Sequence, residues 1–353
     1  MRSSYAREDV EILLKDITGL VEPLPAQVRE RKIQSGTHYC EMLPMEYRPS
    51  TEYMRAYQDA LKNYAGATAR AVGVLAEKLY GKKGGSLTLV SLARAGIPIG
   101  ILLRRYLRNK YHAEVKHYAV SIIRGRGIDR NAVDYILGRH AAGSVQFVDG
   151  WIGKGAISGQ LKAALRDYPQ LSADIGVVSD PANLTELCGT HEDILIPSSC
   201  LNATVTGLIS RTFLRADIIG GSDFHGAAYY AQLEPEDLSE QFLRRIEEEF
   251  DYGDPSREGE EPAGPGGPEI VRKISLQYGV GDINFIKPGI GETTRVLLRR
   301  VPWKVIVNEE FARDHALTHI YQLADEKNVP CEISKIRLGN YKACGIIRQL
   351  SDV

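Results

Sequence analysis

The chain has little that would carry it into a membrane or an oxidising compartment. No apolar run approaches membrane-spanning length, no secretory signal opens the sequence, and the five cysteines are scattered with no CxxC pair. A structural zinc site is therefore not expected, and a reducing cytoplasm is. A dominant charge is missing too, since 44 Lys and Arg face 45 Asp and Glu. No global basic field advertises nucleic acid, so any RNA site must be a local patch. What remains is an ordinary globular composition over 353 residues, enough for two domains.

The stretch VQFVDGWIGKGAISGQ, from residue 145, predicts a strand, a glycine turn and a helix start. Asp149 stands where the strand ends. Gly150, Gly153 and Gly155 let backbone N–H groups approach an anion, and Lys154 adds a charge. It is not a P-loop, because Gly155 rather than Ser or Thr follows the lysine, and the G-x-x-G-x-G order is not a dinucleotide fingerprint. A second such unit, LTLVSLARAGIPIGILLRRYL from residue 87, offers Ser91, Arg94, Ala95 and Gly96. Arg124 and Arg126 follow in an RGRG turn.

Residues 50–80 carry helical spacing, with Ser50 as N-cap and Gly81 as stop. ADIGVVSDPANL, ending a strand at Asp180, and EDILIPSSCLNATVTGLIS read as two more strand-loop-helix units. This alternation predicts a parallel α/β sheet with sites at the carboxyl ends of its strands. For nucleophilic chemistry, Cys200 with His191 or His225 is the first candidate and Cys40 with His38 the second. From Asp251 a Gly-, Pro- and acid-rich stretch divides the chain into 1–250, a linker at 251–280, and 281–353. In the last module Arg295 and Arg299 stand one helical turn apart, among Lys287, Arg300 and Lys304.

FVDGWIGKGAIS resembles the phosphoribosyl diphosphate (PRPP) loop of type I phosphoribosyltransferases, with Gly150 replacing the second acidic residue. The SLARAG loop resembles their diphosphate loop, and residues 35–50 their base-covering hood. GIGETTRVLLRR resembles the RNA-binding element of the Pelota superfamily. Together these pieces resemble a bacterial family found with tellurium-resistance and stress genes, also called the StiP cysteine protease family.

The resemblance implies an α/β fold: a type I phosphoribosyltransferase-like parallel-sheet domain, then a small α/β sandwich of Pelota type. It implies transfer of ribose 5-phosphate from PRPP, held with Mg2+, to or from a base-like acceptor. Asp149, Lys154 and Arg124 would be catalytic, with Ser91, Arg94, Ala95, Gly96, Arg126, Gly150, Gly153, Gly155 and Ala156 binding substrate. Structured RNA would meet Lys287, Gly289, Gly291, Glu292, Arg295 and Arg299. Two alternatives stand beside this: a StiP-type cysteine protease, and a non-catalytic nucleotide-sensing RNA-binding protein.

Overall fold

The alternating apolar strands and amphipathic helices form an α/β fold in the computed structural model, which describes residues 1–253 and 266–348. In chain order they are β1 (Glu11–Ile12), β2 (Lys15–Asp16), α1 (Ala26–Gln34), α2 (Thr51–Lys83), β3 (Ser86–Ala93), α3 (Gly96–Tyr111), β4 (Glu114–Ile123), β5 (Gly127–Ile128), α4 (Arg130–Leu137), β6 (Val145–Trp151), α5 (Ala156–Ala164), β7 (Ile175–Ser179), β8 (Cys188–Thr190), β9 (Gly226–Ala227) and α6 (Ser239–Glu247). After the undescribed stretch come α7 (Gly267–Tyr278), β10 (Ile286–Pro288), α8 (Ile290–Arg299), β11 (Pro302–Val307), α9 (Thr318–Glu326), β12 (Cys331–Ile333) and β13 (Ala343–Ile347).

The central sheet runs β1-β4-β3-β6-β7-β8 with every neighbouring pair parallel, and β5 folds back antiparallel on β4. Helices cover both faces, so β3 is buried over almost its whole length and reads as a continuous apolar run. The long helix α2 starts as expected, with Ser50 Oγ accepting the Tyr53 N–H. It passes through Gly81 and stops at Gly84, whose φ of 68° only glycine adopts easily.

Two expectations fail here. Residues 193–210 hold no strand or α-helix, only short 3-10 turns at Pro197–Cys200 and Ala203–Val205. Their apolar residues, Ile196, Leu201, Val205 and Ile209, are buried in the core that α2 shares, so burial is satisfied without a β ladder. The expected linker is also too long at its far end, because α7 lies inside it and buries Ile270, Val271 and Ile274. Residues 254–265 of that linker lie outside the described residues.

The C-terminal module is a mixed sheet, β10-β13-β11-β12, backed by α8 and α9. It docks on the carboxyl edge of the central sheet, and one apolar cluster runs from Ala56 and Tyr57 to Ile290, Leu297 and Leu298. Among the described residues no helix is long and apolar enough to cross a membrane.

Candidate functional site

The glycine turn after β6 forms where the sequence places it, but the C-terminal module covers it. Lys154 Nζ donates to the carbonyls of Ile283 and Ile286, and the Tyr341 hydroxyl donates to the Gly153 carbonyl at 2.6 Å. Gly155 adopts φ 82° at the start of α5, where an added Cβ would lie 2.6 Å from Leu184 Cδ1. The Gly-Ile-Gly-Glu turn before α8 is consumed in the same way. Asp193 accepts the N–H groups of Ile290 and Lys342, each at 2.9 Å, and burial raises its carboxyl to about 7. Gly289 and Gly291 face Asp193 and Ser199, and Arg299 donates to Asn202 Oδ1 and to the Ser199 carbonyl. Lys154, Gly153, Gly289, Gly291 and Arg299 thus take part in the contacts between the modules.

Other expected ligand residues prove structural as well. Ser91 Oγ bonds the Gly96 carbonyl at 2.9 Å and His117 Nε2 at 2.7 Å in the core. Gly96 is required because a Cβ there would sit 2.8 Å from the Val148 carbonyl, so α3 can press against β6; Ala95 caps α3 and Ala156 opens α5. Arg94 pairs with Glu46 at 2.9 Å and donates to the Ile209 carbonyl at 2.7 Å. Arg124 reaches Asn284 at 3.1 Å and Arg126 reaches Glu41 at 3.2 Å. Asp149 accepts the Gly150 N–H at 2.8 Å, and burial raises it to about 7. It has Gly150 where a second carboxylate would stand, and no group of three or more His, Cys, Asp or Glu among the described residues could hold a metal.

At the rim of the same edge lie thiol–imidazole pairs. Cys200, the first candidate, is not one: it is fully buried, its Sγ faces the Ala56 carbonyl, and burial drives the thiol to about 12. Of its expected partners, His191 lies 3.4 Å from the Cys188 sulfur and His225 bonds Ser121 at 2.8 Å.

Cys40 is different. Its Sγ lies 2.9 Å from His38 Nδ1, and His38 Nε2 lies 3.2 Å from the Arg124 carbonyl. That carbonyl can only accept, so Nε2 carries the proton and the Nδ1 lone pair faces the thiol; the Cys40 N–H, 3.4 Å from Nδ1, points the same way. The Tyr39 ring lies tilted against His38 with centroids 4.5 Å apart, and its hydroxyl accepts the Arg124 N–H. Burial holds the thiol above its ordinary range, opposed by Arg126. The second pair, Cys188–His191, has the His191 Nδ1 on the Asp180 carbonyl at 3.0 Å and 4.0 Å from its carboxylate. Its Cys-x-x-His spacing is the sequence signal that would have found it.

Fold and site together define an α/β protein with a cysteine–histidine pair at residues 38–40 and a C-terminal module docked on its central sheet. That module matches the model of the PELOTA RNA binding domain over residues 266–349. The chain belongs to the StiP family: the model described as tellurite-like stress resistance cysteine protease StiP matches residues 3–247. Cysteine protease StiP of Acinetobacter baylyi (strain ATCC 33305 / BD413 / ADP1) is 32% identical over 375 residues, covering 98% of this chain and 94% of that protein. These findings overturn the expectation of ribose 5-phosphate transfer. The covered glycine turn, the docked Lys154 and the lone carboxylate of Asp149 agree with that correction.

Proposed function

We propose that the protein is a cysteine peptidase in which Cys40 is the nucleophile and His38 the base. The observation that carries this reading is the contact of Sγ with His38 Nδ1 while Nε2 is tied to the Arg124 carbonyl. With the thiol protonated at rest, His38 Nδ1 takes the proton as Sγ attacks a peptide carbonyl carbon. Expulsion of the amine, which receives that proton, leaves a thioester. Water, deprotonated by His38, then releases the acid and restores the thiol. Cys40 is 1% exposed, so substrate entry has to displace part of the segment around it.

The test is cleavage of a mixed peptide library together with mass-spectrometric mapping of a peptidyl acyloxymethyl ketone label. Cys40→Ser and His38→Ala should each lose at least about a thousandfold in rate, and the label should land on Cys40. Cys200→Ala should cleave normally. A label on Cys188, with activity surviving Cys40→Ser, would transfer the role to the pair favoured second by the His191–Asp180 contact.

The C-terminal match supports RNA as a further partner. Because the Gly-Ile-Gly-Glu turn is spent on docking, RNA would use the exposed Arg300 and Arg348, which the Arg348 N–H to Val301 carbonyl bond brings to one end of the module. Arg300→Ala with Arg348→Ala should flatten the salt dependence of binding to a structured RNA by about two units, at under about one per lost phosphate contact. An unchanged slope would remove RNA from this end.

A further inference from the structure

The segment Ile209–Leu214 ties the dyad to the sheet edge. Its Ile209 carbonyl accepts from Arg94, while Leu214 receives the Cys40 thiol at 3.6 Å and donates its N–H to the Cys40 carbonyl at 2.9 Å. Arg211 stands between these anchors. Its neighbours are spoken for: Arg94 is on Glu46, Arg295 is on Glu292 at 3.1 Å, and Arg94 and Arg299 both reach Asn202. The Arg211 guanidinium has no hydrogen bond or ion pair among the described residues, and the residue is exposed. Arg94 and Arg295 are like charges that act on it. An exposed, unpaired cation among like charges favours an anion there.

We infer that Arg211 is a specificity residue which receives a carboxylate of the peptide substrate beside the bond that Cys40 attacks. This deepens the peptidase reading and rests on it. The ion pairs Arg126–Glu41, next to Cys40 in the chain, and Arg94–Glu46 are already matched, so an acidic side chain would find one vacant guanidinium at Arg211.

The test uses the full-length Cys40→Ala protein and calorimetric titration, so it does not depend on turnover. The probes are blocked tetrapeptides of sequence Ala-Glu-Ala-Ala and Ala-Gln-Ala-Ala, the second also with a free C-terminus. The glutamyl peptide should bind at least about tenfold tighter than its blocked glutamine counterpart, a difference of about 1.4 kcal/mol. Arg211→Gln should erase the difference and Arg211→Lys restore part of it, with unchanged thermal melts. If the free-terminus glutamine peptide binds as the glutamyl one does, the carboxylate recognised includes the chain terminus. Equal binding of the two blocked peptides overturns the inference, as does discrimination that survives Arg211→Gln, or binding of inorganic phosphate with no preference between peptides. Cleavage persisting in Cys40→Ser would sink the assignment of the nucleophile while leaving the peptide preference to be decided by these titrations.

Discussion

The glycine turns around 150–155 and 289–292 and the segment 38–46 all carry residues that suggest a site, yet they end with opposite amounts of unused chemistry. In the turns, the groups that suggested ligand binding are taken by the partner module: Lys154 by two carbonyls, Gly153 by Tyr341, and the Ile290 N–H by Asp193. In the hood a thiol and an imidazole face each other, and an unpaired guanidinium stands nearby. A motif reports which groups a segment carries; packing decides which of them are left to act. Buried donors and acceptors are nearly always satisfied, and here each turn is satisfied by residues of the other module.

That contrast breaks most sharply at Asp193. Replacing it by alanine leaves the buried Ile290 N–H and the part-buried Lys342 N–H without an acceptor, at about 1–3 kcal/mol for the first and about 1 kcal/mol for the second, so Asp193→Ala should lose roughly 2–4 kcal/mol. Denaturant unfolding measures this. A loss under about 0.5 kcal/mol would mean that the docking is held by apolar packing and the turns are spare.

Much of the fold was legible because strands and helices announce themselves by apolar period. The stretch from Leu87 became β3 and α3, the stretch from Val145 became β6 and α5, and Ser50 capped α2 where its spacing required. The site was less legible for a physical reason. Arg211 lies among short turns and bridges that lack a period, and its importance comes from Arg94 and Cys40, both more than a hundred positions away. Cys200 attracted notice through its Asn- and Thr-rich neighbours, but nothing local reveals that its sulfur faces the Ala56 carbonyl. The hood pair was visible as His-x-Cys, and only the Arg124 carbonyl, from a distant strand end, settles which imidazole nitrogen faces the thiol.

A second way to sharpen the comparison uses pH. Asp149, at the covered turn, is raised to about 7 by burial, above the unfolded carboxyl value of roughly 3.9. The folded state therefore holds a proton that the unfolded state has released, and stability from this group, full below about 4, is lost as pH rises to about 7. Asp149→Asn keeps an oxygen for the Gly150 N–H without that loss. Since the carboxyl retains partial contact with water, the variant should gain on the order of 1–2 kcal/mol over the parent between pH 4 and pH 7. A gap that stays constant across this range would show that Asp149 titrates normally.

The smallest expected effect tests the contact between modules one bond at a time. The Tyr341 ring is fully buried, and its hydroxyl donates to the Gly153 carbonyl at 2.6 Å. Tyr341→Phe keeps the ring packing and deletes only the donor. A carbonyl can accept a second bond from water where space allows, so its loss should cost about 1 kcal/mol, well below the Asp193 effect, which strips two N–H groups of their only acceptor. Paired with Asp193→Ala in a double-mutant cycle, Tyr341→Phe should show coupling, because Tyr341 precedes the Lys342 whose N–H Asp193 accepts. Strict additivity would separate the two turns into independent contacts, and the view that they form one docking unit would have to be given up.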